Sequence, residues 1–178
     1  MLRHLASVVA ALTLLMSASG CLIETNLDAD GGGMVTATYQ LKKGANVKDL
    51  KPQMQSPDVE VTDAKITDDS KGVFDLKVKD ITKLSTAKFF NRSHITRTVD
   101  KEKGTTTVVA KVKNDKPKKV PDAIKKFYND KVKIVTTAPG EITETNAKSK
   151  DGKTATWEYT MDEFFNVPEV EMKLTYKN

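Results

Sequence analysis

The chain has 178 residues, one cysteine, two histidines and a formal net charge of +5, from 29 basic and 24 acidic side chains. That length suffices for one ordinary domain with its own core, and a single cysteine excludes a disulfide framework or a thiolate metal site. Only Arg3, Arg92 and Arg97 are arginines; the lysines that make up the rest are solvated point charges rather than bidentate readers of phosphate and base edges, so no nucleic-acid partner is expected.

Arg3 and His4 open the chain, and residues 5–16 follow as an apolar run in which only Ser7 and Thr13 are mildly polar. A membrane-spanning helix needs about 20 apolar residues, whereas the core of a secretory signal needs roughly 7–15. The run fits the second. Small residues then lead to Ala18-Ser19-Gly20-Cys21, a string that resembles the bacterial lipobox, although leucine is the commoner first residue there. The resemblance implies a signal peptide at residues 1–20, cleavage before Cys21, and one mature domain at residues 21–178. It also implies that Cys21 is the lipidation site, carrying palmitate-class acyl chains that hold the protein to the membrane. A thiolate is the side-chain nucleophile suited to accept a diacylglyceryl group as a thioether. Leu22 stands where an aspartate would retain a proteobacterial lipoprotein at the inner membrane, so the resemblance points to the outer membrane if the source is of that kind. Cys21 is expected to lie ahead of the first strand pairs.

Beyond the cysteine, apolar residues recur with a period of two, the mark of half-buried strands. Ile23, Leu27 and Ala29 alternate with polar partners, Asp30-Gly31-Gly32-Gly33 turns the chain, and Val35, Ala37, Tyr39 and Leu41 return. Glycines between two alternating runs predict a hairpin. Residues 45–54 suggest a short helix ending near Pro57. A second hairpin is predicted from residues 59–66, a turn at residues 68–72, and Phe74, Leu76 and Val78. Residues 82–90 suggest another helix. A third hairpin runs through residues 95–99, turns at Lys103-Gly104 and returns through Val108, Ala110 and Val112. Pro121 suits a first helical turn and starts a helix over residues 121–129. Val132 and Ile134 lead into Ala138-Pro139-Gly140; residues 142–147 are expected to turn at Asp151-Gly152 onto Ala155, Trp157, Tyr159 and Met161. Val170, Met172, Leu174 and Tyr176 form the last strand. The fold class is α+β: a mainly antiparallel, curved sheet built of hairpins, with two or three short helices on one face.

Ala138-Pro139-Gly140-Glu141-Ile142, then residues 151–157 with their Asp-Gly turn and Trp157, together with the early turn at residues 30–33, resemble bacterial lipoproteins of the LppM-like kind. That resemblance implies an envelope lipoprotein whose sheet and helices surround an apolar cavity that binds lipid. No site residue is carried over, because none matches a defined role.

Candidate chemistry is sparse. His94 is the sole histidine after the signal, and Ser93 beside it would point to the opposite face of a strand. Asp28-Ala29-Asp30-Gly31 hints at a calcium loop, but the twelfth position, where an EF-hand needs a closing glutamate, is Tyr39. Residues 31–33 lack the lysine of a phosphate loop. Asp68-Asp69 and Asp162-Glu163 are paired carboxylates of the kind that can flank a sugar bond, here read as turn residues. Lysines 111, 113, 116, 118, 119, 125, 126, 131 and 133 form the densest basic stretch, interrupted by aspartates; it is read as a plain solvated face, with an anionic membrane surface as the alternative. Phe89-Phe90, Phe127-Tyr128, Trp157, Tyr159 and Phe164-Phe165 either build the core or line a pocket.

These residues predict no catalytic site, no metal and no cofactor. The expected protein is a non-catalytic, membrane-anchored bacterial envelope lipoprotein that binds a lipid, glycolipid or other apolar ligand. The alternative is a structural or assembly module that binds another envelope protein through a sheet edge or face.

Overall fold

The computed structural model describes residues 20–41, 44–114 and 131–178. The apolar run at residues 5–16, the helix expected over residues 121–129, and the lysines at 116, 118, 119, 125 and 126 lie outside the described residues.

The first three hairpins form where alternation and turn residues put them. β1 (Cys21–Leu27) pairs antiparallel with β2 (Gly33–Gln40). Gly31 turns between them at a φ of 100°, a left-handed conformation that costs glycine little, and Asp30 Oδ1 accepts the Gly32 N–H at 3.1 Å. β3 (Val59–Ile66) pairs with β4 (Lys71–Val78), with a register shift between Val61 and Asp63. The intervening Thr62 donates its hydroxyl to the Asp75 carbonyl at 3.0 Å. β5 (Ser93–Asp100) pairs with β6 (Thr105–Lys113) in unbroken register.

The last third departs from expectation. β7 (Lys131–Thr137) runs parallel to β1, with Cys21 opposite Val132 and Asn26 opposite Thr137. β8 (Ile142–Thr145) pairs with the final strand β11 (Glu169–Lys177), not with the strand that follows it. The turn at Asp151-Gly152 instead joins the short β9 (Ser149–Asp151) to β10 (Thr154–Thr160), which pairs with β7. The hairpin expected between residues 142–147 and Ala155–Met161 is therefore corrected. Its physical reason sits at Gly140, where a Cβ would lie 1.7 Å from the Lys177 carbonyl oxygen. Only glycine allows that approach, and through it Ala138-Pro139-Gly140 carries the chain from one sheet to the other.

Two sheets result, rather than one. The larger has the order β3-β4-β2-β1-β7-β10-β9 and the smaller β5-β6-β11-β8. Every strand pair described above is antiparallel except β1 with β7.

Short helices fill the gaps. Asn46 caps the helix Val47–Met54 by accepting the Lys48 N–H, and Met54 at its end is fully buried. The helix expected over residues 82–90 is two 3₁₀ turns, Ile81–Thr86 and Lys88–Phe90. Ala87 between them is extended, at φ −77° and ψ 131°, so a continuous α-helix cannot pass through it. A helix at Met161–Phe165 stands where the alternating pattern suggested more strand. Its local signal is a capping box, Thr160 to Glu163, with both reciprocal hydrogen bonds present. No helix among the described residues is long and apolar enough to cross a membrane.

The core lies on the inner face of the larger sheet. Val35 and Ala37 of β2 and Phe74 and Leu76 of β4 are fully buried there, beneath the helix Val47–Met54 and the 3₁₀ turns. Burying a side chain of Phe or Leu size contributes about 1.5–3 kcal/mol, so these few positions dominate that half. Over β1, β7 and β10 the covering layer is the smaller sheet, and the packing there is different.

Candidate functional site

Between the two sheets lies an apolar cavity of about 270 Å³. Its floor comes from one face of β1, where the two-residue period places Cys21, Ile23, Thr25 and Leu27 side by side, and from Val132, Ile134 and Thr136 of β7. Trp157 of β10 completes that wall. The opposite wall is Val108, Ala110 and Val112 of β6, Met172 and Leu174 of β11, and Ile95 of β5. Ile81 and Leu84, both buried, close one side.

One end of the cavity reaches solvent. Phe89 and Phe165 line it and remain 38% and 39% exposed. Phe89 packs on Tyr39 with ring centroids 4.9 Å apart and edge-on against Phe90 at 5.0 Å. Phe165 meets Phe164 edge-on at 5.1 Å, and Phe164 lies 5.7 Å from Tyr159. Five of the aromatic residues singled out in the sequence thus converge on the cavity, and Tyr159 backs them. Phe127 and Tyr128 lie outside the described residues.

Two polar pins hold the walls in place, and both asparagines are invisible to pattern reading. Asn146 Oδ1 accepts from Trp157 Nε1 at 2.9 Å and from the Lys173 backbone at 2.8 Å, while its Nδ2 donates to the Glu171 carbonyl at 2.9 Å. It therefore fastens β10 of one sheet to β11 of the other and leaves the indole with its N–H satisfied. Asn114 donates to the carbonyls of Phe164 at 2.7 Å and Val167 at 2.9 Å, which seats the Met161–Phe165 helix at the open end. Its Oδ1 is buried with no hydrogen-bond partner, and Asn114 is part of the cavity lining.

Cys21 is not ahead of the strands, as expected, but is the first residue of β1, opposite Val132 in β7. Its side chain packs with Val132, Phe164 and Val170, and burial pushes the thiol up to about 11. Tyr39 is pushed up to about 12, by burial first and then by the negative charge a Cys21 thiolate would place beside it. The pairing explains the missed position: a strand that begins at Cys21 carries no local mark of its parallel partner more than a hundred residues away.

The other sequence candidates are not brought together. His94 is exposed on β5, opposite Lys111, while Ser93 lines the cavity and donates to the Phe90 carbonyl at 2.7 Å. Residues 28–33 make the β1–β2 turn. Asp69 is paired with Lys71 at 2.7 Å and accepts the Thr67 hydroxyl, and Glu163 caps its own helix. Lys111 of the basic stretch is held between Glu169 and Glu171, each at 3.1 Å.

No family model matches the sequence, and no curated protein matches it. Among solved structures the fold is similar to the NMR structure of the folded domain of Mycobacterium tuberculosis LppM, with a TM-score of 0.56 at 14% identity, over 93% of this chain and 94% of that one. At that identity the likeness is one of fold, and it supports a domain that is loosely LppM-like.

Proposed function

We propose that this protein is a lipid-anchored component of the bacterial envelope that holds a hydrocarbon chain between its two sheets and performs no catalysis. The observation that carries the reading is the cavity itself: walls of aliphatic and aromatic side chains, closed on one side by Ile81 and Leu84 and open between Phe89 and Phe165. At about 270 Å³ it falls just under the roughly 300–1,000 Å³ of ordinary ligand pockets. That size suits part of one acyl chain and not a whole two-chain lipid. The lipobox-like string before Cys21 supplies the address, and the LppM-like fold is consistent with it.

The test is uptake of cis-parinaric acid, a fluorescent fatty acid, by residues 21–178 carrying Cys21→Ser. Saturable uptake is expected, with energy transfer from Trp157. Ala110→Trp, which fills the cavity from the β6 wall, should abolish it. A Cys21→Ser chain that takes up no fatty acid, or an Ala110→Trp form that binds as well as its parent, would refute the reading. The alternative, a protein partner added at a sheet edge, finds less support. At the larger sheet's edges, β3 has a register shift and carries Glu60, Asp63 and Lys65, and β9 is three residues long. At the smaller sheet's edges, β8 has four residues and β5 carries His94, Arg97 and Asp100; charges and irregularity of this kind blunt an edge.

A further inference from the structure

We propose that the cavity's occupant is the protein's own anchor: one acyl chain of the lipid carried on Cys21 folds back between the sheets. The inference rests on the lipid-anchor reading and goes beyond it by joining the attachment site and the cavity into one site. Three observations lead there. Cys21 belongs to the cavity-facing row of β1, with Ile23, Thr25 and Leu27. It is also the first residue of that strand and is already paired with β7, so no spacer separates the acylated sulfur from the cavity wall. Finally, the lining that Cys21 joins is apolar apart from a few groups, and one end of it lies open between Phe89 and Phe165.

The chemistry at the sulfur balances simply. A sulfur–carbon bond to the diacylglyceryl group forms as the bond from that carbon to a phospholipid's phosphate oxygen breaks, and the thiol proton leaves with the headgroup. The attached chain then competes for the cavity at an effective concentration on the order of millimolar or above, as short tethers do. A free fatty acid is far more dilute. The chains that the cavity does not take remain to enter the bilayer.

Isotope-filtered NMR of the full acylated protein tests this directly. The protein is produced in bacteria fed ¹³C-labelled fatty acid and purified in unlabelled detergent, and mass spectrometry reads the adduct on Cys21. The expected result is a set of cross-relaxation peaks from labelled methylenes to the Trp157 and Phe164 rings, absent from Cys21→Ser. Cis-parinaric acid should bind the Cys21→Ser chain on the order of 100-fold more tightly than the acylated chain. Cys21→Ala serves as a second unacylated form in case the serine hydroxyl disturbs the wall. An adduct without those peaks, with equal fatty-acid uptake by both forms, overturns the inference and leaves the cavity reading standing. The same peaks in Cys21→Ser would identify a free lipid as occupant and also overturn it. Absence of any adduct on Cys21 removes the anchor reading, and this inference with it.

Discussion

Cys21 combines two properties that pull in opposite directions: it is the one thiol of the chain, and the fold half-buries it against Val132 and Phe164. A thiol held at about 11 against an ordinary 9.0 has about 100-fold less thiolate at any pH below 9, and only the thiolate attacks. The lipidation proposed at Cys21 would therefore have to precede the docking of β1 on β7. The measurable consequence is that the folded, unacylated protein reacts with iodoacetamide about 100-fold more slowly at pH 8 than the same chain in denaturant. The sign of the linkage follows. Above pH 9 the unfolded chain releases the proton first, so stability falls as pH rises toward 11. Cys21→Ala should lose the slope between about pH 9 and 10 in denaturant titrations, while Tyr39, raised to about 12, keeps a slope above that. Asn146 works at the same scale. Asn146→Ala leaves the Trp157 indole N–H and the Lys173 amide without their acceptor. The expected loss is roughly 1 kcal/mol, the low end of the range for an unsatisfied donor, because Asn146 is exposed and water can partly replace it. An unchanged midpoint in urea would show that the pin contributes nothing.

Among the elements, the helix Met161–Phe165 has the most influence for its length. Five residues cannot sustain a helix alone; this one stands on the Thr160–Glu163 capping box at one end and on Asn114 at the other. Thr160→Ala removes the cap and should cost about 1 kcal/mol, equivalent to roughly 2–4 °C in Tm for a chain of this size. Amide exchange should quicken at residues 162–166 and not in β3 or β4. Uniform quickening throughout the domain would contradict a local role. This helix was legible in the sequence through its Thr-x-x-Glu spacing, but the apolar alternation of Ala155, Trp157, Tyr159 and Met161 runs across the cap and hides it. The break at Ala87 between the two 3₁₀ turns had no such local mark. Leu84, Ala87 and Phe90 keep an apolar spacing, and packing against β5 and the helix Val47–Met54 decides the conformation.

For the molecule as a whole, the end that carries Cys21 is the end that exposes Phe89, Phe165 and Val167. The anchor proposed at Cys21, having no spacer, would bring this end against the bilayer, where aromatic side chains sit well at the interface. Replacing Phe89 and Phe165 together with aspartate should therefore reduce co-sedimentation of the Cys21→Ser chain with anionic vesicles by on the order of tenfold, since only the 38% and 39% of each ring still exposed is left to bury, worth roughly 0.5–1 kcal/mol per ring out of about 1.5–3 kcal/mol for a whole one. Charge reversal at Glu144 on β8, which lines no part of the cavity, should leave it unchanged. Equal sedimentation of the aspartate form and its parent would place the membrane face elsewhere.

The sequence by itself determined most of the strands, because a period of two in apolar residues is a local property and the glycine and aspartate turns that bound it are local too. It also supplied the motive for the proposed address, one cysteine after a short apolar run. Tertiary structure alone decided how those strands divide into two sheets, that β1 finds β7 in parallel, and that β8 leaves its neighbour for β11. Alternation states which face of a strand is buried and is silent on which strand lies beside it, since pairing is made by backbone groups that every residue shares. The cavity belongs to the same class of fact. Each wall reads as ordinary core in one dimension, and the space between the walls, with Cys21 at its edge, exists only once the two sheets have been set face to face.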